Sequence, residues 1–398
     1  MSDTGAFNAE QFNSLFGQTL EVGGEALTKL GQASGLYIQQ KLRENAFCRK
    51  ILPPKVVTEK ECQRRVEDEG LEYIDDLEPD SIAMHINWRG EPEKTYIQAP
   101  RYKIVFHTIS SDKIVKSEQE LRSYRMPLTK VLEQNIAKDI QEQEDFTFMQ
   151  HVKSGLFLGT RFNYNKLVGR GVITTTPTRN FADQAQFMRF LLQRDKGGVG
   201  AWAPIPTANL NRSDAIYSNI ILSDEDDWNR VVLKDLVKIP AARQQKARTF
   251  LLHEVTWTDT VAWSLTEAGL EITSEIVRDG YKYTTVGGYT FVTTIRDNDN
   301  LVEPGVIYVF PAPEFIGRFM VLENTKFFID KRGRWIEMEA WEDVGAGFGN
   351  IRALGAILLK GARMTLPVTF QDAAGTTTAA GNYTIINDNL QAALPAVV

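Results

Sequence analysis

The sequence predicts a mixed α+β protein, in which one long amphipathic helix precedes a series of strands that do not alternate regularly with helices. The helix is predicted from Met126 to Lys153, because apolar residues recur there at four-residue spacing: Leu128, Leu132, Ile136 and Ile140, with Val131 beside them. Pro127 lies in the first turn, where a proline is tolerated. A helix this long with a polar face is typical of an element that spans a flat subunit, and flat subunits suit tiling.

Composition excludes several classes of protein. With 398 residues the chain is long enough for a full core and for two or three lobes. Its net charge of −6 argues against a generic nucleic-acid binder, which is usually basic. Two cysteines, Cys48 and Cys62, are too few for a disulfide scaffold and indicate a reducing compartment. We expect neither a signal peptide nor a transmembrane span.

The N-terminal region is predicted to be an arm. Residues 1–50 contain short apolar pieces that glycines interrupt, and Pro53-Pro54 ends the region. Such pieces cannot form a core alone, so we expect the arm to dock on another surface.

A charged hairpin is predicted next, within residues 55–118. Strand-like pieces occur at Ser81–Trp88, Thr95–Ala99 and Arg101–Ser110, with a turn at Arg89–Pro92. Because both faces of this hairpin are polar, we expect it to bury little against its own subunit. It should project from the subunit or be covered by a neighbour.

The later part of the chain predicts one helix and several strands. The acidic run Ser223–Asp226 is interpreted as a capped first turn, Trp228 to Leu236 as the apolar helix face, and Pro240 as the stop. Strands are predicted at Thr249–Val255, Tyr289–Ile295, Val306–Phe310, Lys326–Ile329 and Trp335–Trp341, and a second helix between Thr258 and Gly269. The tail Met364–Val398 is interpreted as a small β appendage or a docking arm.

No catalytic, cofactor-binding or metal-binding residue is predicted. His253-Glu254 begins like a zinc-protease motif, but the second histidine is absent, and the other histidines are scattered. The adjacent acids Asp75-Asp76 are interpreted as a solvated charged loop. Neither a nucleophile elbow nor a phosphate-binding glycine loop ending in Lys-Ser/Thr occurs.

One segment imitates a dinucleotide-binding unit. The glycine-rich run Gly345–Asn350 follows the predicted strand Trp335–Trp341 and precedes a helix-compatible run, Ile351–Lys360, and a possible strand, Thr365–Phe370. The fingerprint is imperfect, because Asn350 stands where Gly or Ala belongs. We expect these glycines instead to allow close backbone approach or to bend a strand.

The order of parts resembles the HK97-fold major capsid proteins of tailed bacteriophages. Pro100–Ser111 falls where the extended loop of that family returns to its spine helix. Arg248–Asp259 is similar to a strand-then-helix segment of the family, and Glu339–Gly345 and Asn350–Gly355 to its closing strand and return. The resemblance covers about residues 30–362. It rests on the order of the elements and on short sequence segments, without a diagnostic motif.

The resemblance implies a division of the chain into five parts. Residues 1–54 would be the N-terminal arm, and 55–118 the extended β-hairpin loop with its flanks. Residues 119–222 would hold the spine helix and peripheral domain, and 223–363 a mixed axial domain with the return strands of the peripheral domain. Residues 364–398 lie outside the common fold.

The resemblance also implies a structural role without a reaction or a cofactor. The subunit would form hexamers and pentamers of an icosahedral head that encloses double-stranded DNA by non-specific contact. Further partners would be a separate scaffolding protein, a portal and, optionally, decoration proteins. The head would assemble in the host cytoplasm and have no membrane partner. An isopeptide cross-link, known in some family members, cannot be placed on any residue here.

The subunit interface is expected to include the returning loop, with the residues Trp88, Arg89, Gly90, Glu91, Arg101, Tyr102 and Lys103. Two alternatives stay open. One is an encapsulin-like cellular nanocompartment shell, which shares the fold. The other is a cytosolic nucleotide-dependent enzyme that uses Gly345–Asn350.

Overall fold

The structure is a computed structural model, and it describes residues 46–66, 70–76, 101–117, 119–120, 128–169, 192–194, 218–259, 285–286, 288–294, 301–371 and 377–387. Residues 1–45 of the predicted arm lie outside the described residues. So do the predicted strands Ser81–Trp88 and Thr95–Ala99, the turn Arg89–Pro92, and the predicted helix from residue 260 onward.

Five helices and 17 strands can be described. The helices are α1 (Phe47–Ile51), α2 (Leu128–Gly169), α3 (Arg230–Ala241), α4 (Glu254–Trp257) and α5 (Pro313–Ile316), and short 3-10 turns occur at Glu59–Glu61 and Ile351–Ala353. The strands are β1 (Pro54–Val56), β2 (Gln63–Arg64), β3 (Leu71–Asp76), β4 (Arg101–Val105), β5 (His107–Ser110), β6 (Ile114–Ser117), β7 (Leu192–Arg194), β8 (Ile220–Leu222), β9 (Ala247–His253), β10 (Thr285–Val286), β11 (Tyr289–Thr294), β12 (Val306–Pro311), β13 (Gly317–Arg332), β14 (Trp335–Phe348), β15 (Gly355–Leu358), β16 (Arg363–Gln371) and β17 (Thr377–Ile386). The predicted α+β class is confirmed.

The long helix is confirmed and is longer than predicted. Helix α2 has 42 residues and continues past the predicted end at Lys153 to Gly169. Ile136 and Ile140, from the predicted apolar face, are buried, and so are Phe148 and Val152 further along the helix. For Ile136 and Ile140, the two residues of the predicted face whose side chains the structure describes, the apolar spacing marks the packed face correctly.

The chain divides into two compact units. The first comprises Met1–Arg49, Pro54–Glu144 and Arg318–Gly349. The second comprises Lys50–Pro53, Asp145–Gly317 and Asn350–Val398.

A five-stranded sheet organises the first unit. Its order is β1-β13-β14-β5, and β6 also pairs with β14. A two-residue turn at Gly333 and Arg334 joins β13 to β14, and Gly333 has a φ of +65°, which favours glycine. Along β14 the even-numbered residues Ile336, Met338 and Ala340 are buried, so the predicted strand alternates as a half-buried strand should.

The first unit also contains the three-stranded sheet β2-β3-β4. The strand predicted at Arg101–Ser110 is confirmed as strand structure but is divided into two strands, because the chain changes sheets at Phe106. Strand β4 pairs with β3, whereas β5 pairs with β14. The N–H of Phe106 donates to the carbonyl of Leu71. The pairing of β4 with β3 therefore ends at Phe106, and the pairing of β5 with β14 begins after it.

A seven-stranded mixed sheet, β10-β11-β9-β12-β15-β8-β7, forms the second unit. Helix α3 packs on this sheet. The buried face of α3, the preceding Trp228 and residues of the strands form one core, which includes Trp228, Val232, Leu236, Ile239, Phe250, Leu252, Phe291, Ile307, Val309 and Ile357. The predicted cap at Ser223–Asp226 is wrong. Asn229 is the N-cap, because its side chain accepts the N–H groups of Val231 and Val232. The helix also continues one residue past Pro240.

The C-terminal region contains an antiparallel pair of strands, β16 and β17, and the interpretation of the tail as a β appendage or a docking arm stays a prediction. The hairpin is tied to the second unit at its base. The side-chain amide of Asn387 donates to the carbonyl oxygens of Ser223 at 2.7 Å and Leu358 at 2.9 Å.

Candidate assembly surfaces

The predicted interface residues that the structure describes lie on β4, in the three-stranded sheet. Arg101 is directly opposite Asp76, and Tyr102 is opposite Asp75. Asp76 and Arg101, which flank residues 77–100, therefore lie together at one end of this sheet. The other predicted interface residues, Trp88, Arg89, Gly90 and Glu91, lie outside the described residues.

The charged residues of β4 have partners within their own chain. Arg101 Nε lies 2.8 Å from Asp76 Oδ1, and both side chains are well exposed. Lys103 Nζ lies 3.1 Å from Glu72 Oε1, diagonally across the sheet. The exposed pair of Arg101 and Asp76 contributes little to stability, typically less than about 1 kcal/mol. Arg101 and Lys103 stay accessible to a neighbouring molecule, whereas Glu72 is buried.

Tyr102 belongs to a tighter polar group. Its hydroxyl donates to Asp75 Oδ2 at 2.8 Å, and Arg318 Nε donates to the same oxygen at 2.5 Å. Burial raises the pKa of Asp75, but the two hydrogen bonds outweigh this and hold that pKa below its usual value. Burial, followed by the hydrogen bond to Asp75, raises the pKa of Tyr102. The pairing fixes the start of β4 against β13.

The base of the predicted hairpin packs against its own chain. Ile104 on β4 is fully buried and forms a cluster with Val57 and Met320. The expectation that this segment buries little against its own subunit is therefore wrong for its described base. The reason is that alternate residues of β4 point inward, although the composition of the whole segment is polar.

The glycine-rich segment is part of a strand and does not begin a helix. Strand β14 runs through Gly345 and Gly347, and a 3-10 turn and strand β15 follow where a helix was possible. A Cβ on Gly347 would lie 2.6 Å from Ile104 Cγ1, and one on Gly345 would lie 2.9 Å from the carbonyl oxygen of Val105. The dinucleotide interpretation is wrong here, because a 3-10 turn and a strand follow the glycines instead of an α-helix. Close backbone approach is confirmed for Gly345, which lies against the backbone of β4, whereas Gly347 lies against the side chain of Ile104 on the same strand.

The outer face of the five-stranded sheet carries exposed aromatic side chains. Phe328 is 44% exposed, Trp335 is 46% exposed, and Phe328 packs against Trp341 with ring centroids 6.2 Å apart. Val115 on β6, which is 45% exposed, lies opposite Glu337 on the same face. We call Phe328, Trp335, Trp341 and Val115 the aromatic face. The aromatic face could have been predicted from the sequence. In an alternating strand over Trp335–Trp341, the odd-numbered tryptophans point away from the face of the buried even-numbered residues.

A buried ionic group in the first unit has no obvious sequence signal. The guanidinium of Arg49 donates to both carboxylate oxygens of Glu144, at 2.5 and 3.0 Å, and also to Glu342. Thr325 donates to the other oxygen of Glu342 at 2.9 Å. Burial acts to lower the pKa of Arg49, but the two carboxylates outweigh it and the pKa is raised. The group fixes the C-terminal end of the predicted arm, at Arg49, to Glu144 on α2 and Glu342 on β14.

A second buried ionic group lies in the second unit. Lys153 Nζ on α2 is 2.8 Å from Glu303 Oε1, and the hydroxyl of Tyr308 donates to Glu303 Oε2 at 3.0 Å. The backbone N–H of Thr365 also donates to Glu303, at 3.3 Å. Burial, and then the nearby carboxylate of Glu303, raises the pKa of Tyr308 well above its usual value. This arrangement anchors helix, strand and C-terminal hairpin, and it offers no accessible atom for chemistry.

The residues considered for catalysis have structural roles. His253 ends β9 and caps α4, because its Nδ1 accepts the N–H of Val255. Asp75 and Asp76 face Arg318 and Arg101. Over the described ranges there is no group of three or more side chains suited to holding a metal ion. Within the same ranges, no helix combines the length and apolar character needed to cross a bilayer.

Comparison with known proteins finds similarity only among solved structures. No family model and no curated protein matches the chain. The capsid of Ralstonia phage GP4 is similar, with a TM-score of 0.47 and 11% identity over 78% of this chain and 89% of that chain. The capsid of cyanophage Pam1 has a TM-score of 0.46 and 8% identity over 74% of this chain and 86% of that chain.

A virus-like particle from Pyrococcus furiosus is also similar, with a TM-score of 0.42 and 9% identity over 82% of this chain and 97% of that chain. Phage capsids, the family that the sequence resembles, are thus among the solved structures similar to this chain.

Proposed function

We propose that this chain is a structural shell subunit, the major capsid protein of a tailed phage, which assembles into hexamers and pentamers around double-stranded DNA. The aromatic face carries the proposal. Phe328 and Trp335 are exposed on one side of strands whose other side is already filled by Ile336 and Met338. These aromatic side chains are therefore not needed for the core of their own subunit.

Exposed apolar surface on a rigid sheet marks a contact with another molecule. Burial of that surface against a neighbouring copy contributes about 25 cal/mol for each Å² removed from water. Because a shell repeats the same contact in every subunit, a modest gain at one contact is sufficient for assembly. No reaction is needed for this role, and His253, Asp75 and Asp76, which were considered for catalysis, have structural contacts.

The hairpin is part of the same proposal. Asp76 and Arg101, the described residues on either side of 77–100, are paired at one end of the three-stranded sheet. We propose that this segment, with Trp88, Arg89, Gly90 and Glu91, contacts a neighbouring copy, and that Arg101, Tyr102 and Lys103 border that contact. Further partners would be a scaffolding protein, a portal and optional decoration proteins. The five-part division predicted from the sequence remains a proposal.

The acidic balance of the chain suits a DNA container. The chain has a net charge of −6. An inner wall built from it would bind the phosphates of the genome less strongly than a basic wall would. The packaged DNA would then be held by non-specific contact. The proposed location is the virion, after assembly in the host cytoplasm.

Negative-stain microscopy of the purified protein, together with nuclease protection, tests this function. Closed shells that protect double-stranded DNA are expected. Shells without DNA that enclose cellular protein would favour an encapsulin-like compartment, and a uniform small oligomer would contradict a shell role. The double variant Phe328→Ser/Trp335→Ser should remain folded but form fewer shells. Val231→Ser is the matched control, because Val231 is 48% exposed on α3 and outside the aromatic face.

A further inference from the structure

The second unit presents an arginine that stacks on an exposed aromatic ring. The Cζ atom of Arg352 lies 4.7 Å from the ring centroid of Phe162, and Phe162 is 52% exposed. Leu158, one helical turn earlier on α2, is 45% exposed. We call Leu158, Phe162 and Arg352 the Arg352 patch. A cation over an aromatic face is attracted by the ring, which holds the guanidinium in a defined plane.

The backbone beneath this patch is held rigidly. The side-chain amide of Asn219 donates to the carbonyl oxygens of Leu354 at 2.7 Å and of Arg352 at 3.1 Å. Helix α2 also packs closely here, since a Cβ on Gly159 would lie only 2.7 Å from the carbonyl oxygen of Ile351. A preorganised surface loses little conformational freedom when it binds, so more of each contact contributes to affinity.

Within the residues that the structure describes, no carboxylate pairs with the guanidinium of Arg352, and its buried Nε atom has no hydrogen-bond acceptor there. Arg101 and Arg318, by contrast, each pair with an aspartate. Burial lowers the pKa of Arg352, and the side chain remains charged because arginine titrates far above neutral pH. A partly desolvated charge without a counter-charge favours binding of an anion.

We propose that the Arg352 patch binds a second copy of this chain, with a carboxylate of that copy on Arg352 and an apolar side chain of it on Leu158 and Phe162. This inference rests on the proposed shell function and adds a specific contact to it. A second copy supplies the required chemistry, because the chain has 51 acidic residues against 45 basic ones.

The chemistry of the patch favours a protein over a nucleic acid. Phosphate backbones are bound by clusters of lysines and arginines, whereas this patch combines one arginine with two exposed apolar side chains. Arginine and aromatic residues, surrounded by apolar contacts, are the residue types that dominate protein–protein binding energy. A single planar guanidinium also matches a carboxylate, which it can bind through two parallel hydrogen bonds.

The test measures assembly of the full chain as a function of concentration, by light scattering and microscopy. Arg352→Ala and Phe162→Ser are each expected to raise the concentration for half-assembly about tenfold or more, as for residues that dominate an interface. Arg352→Lys, which keeps the charge but loses the planar stacking, should show a smaller rise. The matched controls are Arg230→Ala and Val231→Ser, at exposed positions on α3, and they should assemble like the wild type.

Circular dichroism and urea unfolding of the unassembled subunits separate loss of contact from loss of folding. If Arg352→Ala and Phe162→Ser fold and assemble like the wild type, the proposal is overturned while the shell function stands. If Arg352→Ala assembles normally but no longer retains a short DNA duplex, the patch binds nucleic acid and the proposal is also overturned. A wild type that never assembles would contradict the shell function itself, and this inference with it.

Discussion

Replacing Gly347 by alanine is expected to destabilise the first unit, although alanine is tolerated by the backbone there. The new Cβ would lie 2.6 Å from Cγ1 and 3.2 Å from Cδ1 of Ile104. Ile104 is fully buried and β-branched, so its side chain has little freedom to move away. Overpacking of this kind costs about 1–3 kcal/mol. Replacing a strand glycine by alanine stabilises the folded state by about 0.5–1 kcal/mol, so the centres of the two ranges give a net loss of about 1 kcal/mol.

Urea unfolding of the unassembled subunit measures this loss, and Gly381→Ala provides the matched control. Gly381 also lies in a strand, β17, but a Cβ there would meet nothing within 4 Å. Its replacement should therefore leave stability unchanged or raise it slightly. Gly347→Ala should in addition lower the yield of assembled particles, because the clash displaces β4 and the base of the proposed contact loop.

A double-mutant cycle with Ile104→Ala isolates the contact. Ile104→Ala removes both clashing carbon atoms, so Gly347→Ala should cost at least about 1 kcal/mol less in that background than in the wild type. Equal costs in the two backgrounds, or a Gly347→Ala variant as stable as the wild type, would refute the close approach. A thermal shift of the wild type with NAD or ATP would instead restore the nucleotide interpretation, since a bound ligand stabilises the folded state. We expect no such shift.

Three further predictions concern assembly and the buried ionic group. Deleting Trp88–Glu93 should leave a soluble, folded subunit that does not close shells under microscopy, and normal shells would remove the loop from the interface. Residues 1–45 should be cleaved readily by protease in free subunits but protected in particles, because short apolar pieces order only against a partner; equal cleavage would contradict docking. Arg49→Met should lower the free energy of unfolding by about 3–5 kcal/mol, since it leaves Glu144 and Glu342 buried without their cation. If chemical unfolding shows a decrease in the free energy of unfolding below about 1 kcal/mol, the negative charges of the two carboxylates are compensated in another way.

Local patterns in the sequence predicted much of the secondary structure. The four-residue spacing around Ile136 and Ile140 predicted the long helix, because one helix face has to be apolar to pack. Alternation at Trp335–Trp341 predicted a strand with one buried face, which β14 contains. The cap of α3 was misplaced, because an acidic run is only one of several local arrangements that can begin a helix, and Asn229 supplies the acceptor instead.

Part of the candidate surface could also have been read from the sequence. Trp335 and Trp341 are odd-numbered, whereas the buried residues of the same strand are even-numbered. Successive side chains of a strand point to opposite faces, so both tryptophans lie on the face away from the core. The split of Arg101–Ser110 into two strands could not be foreseen, because a uniform run of strand-forming residues does not record which partner each residue pairs with.

What the sequence by itself determined is the set of elements with a strong period and the absence of a catalytic motif. What only the tertiary structure decided is which distant residues meet. Arg49 contacts Glu144 and Glu342, which are 95 and 293 residues away, and Gly347 owes its role to Ile104 on another strand. Periodicity reflects burial, which every residue of an element experiences locally. Ion pairing and steric approach depend on the path of the whole chain, and a single sequence carries no local mark of either.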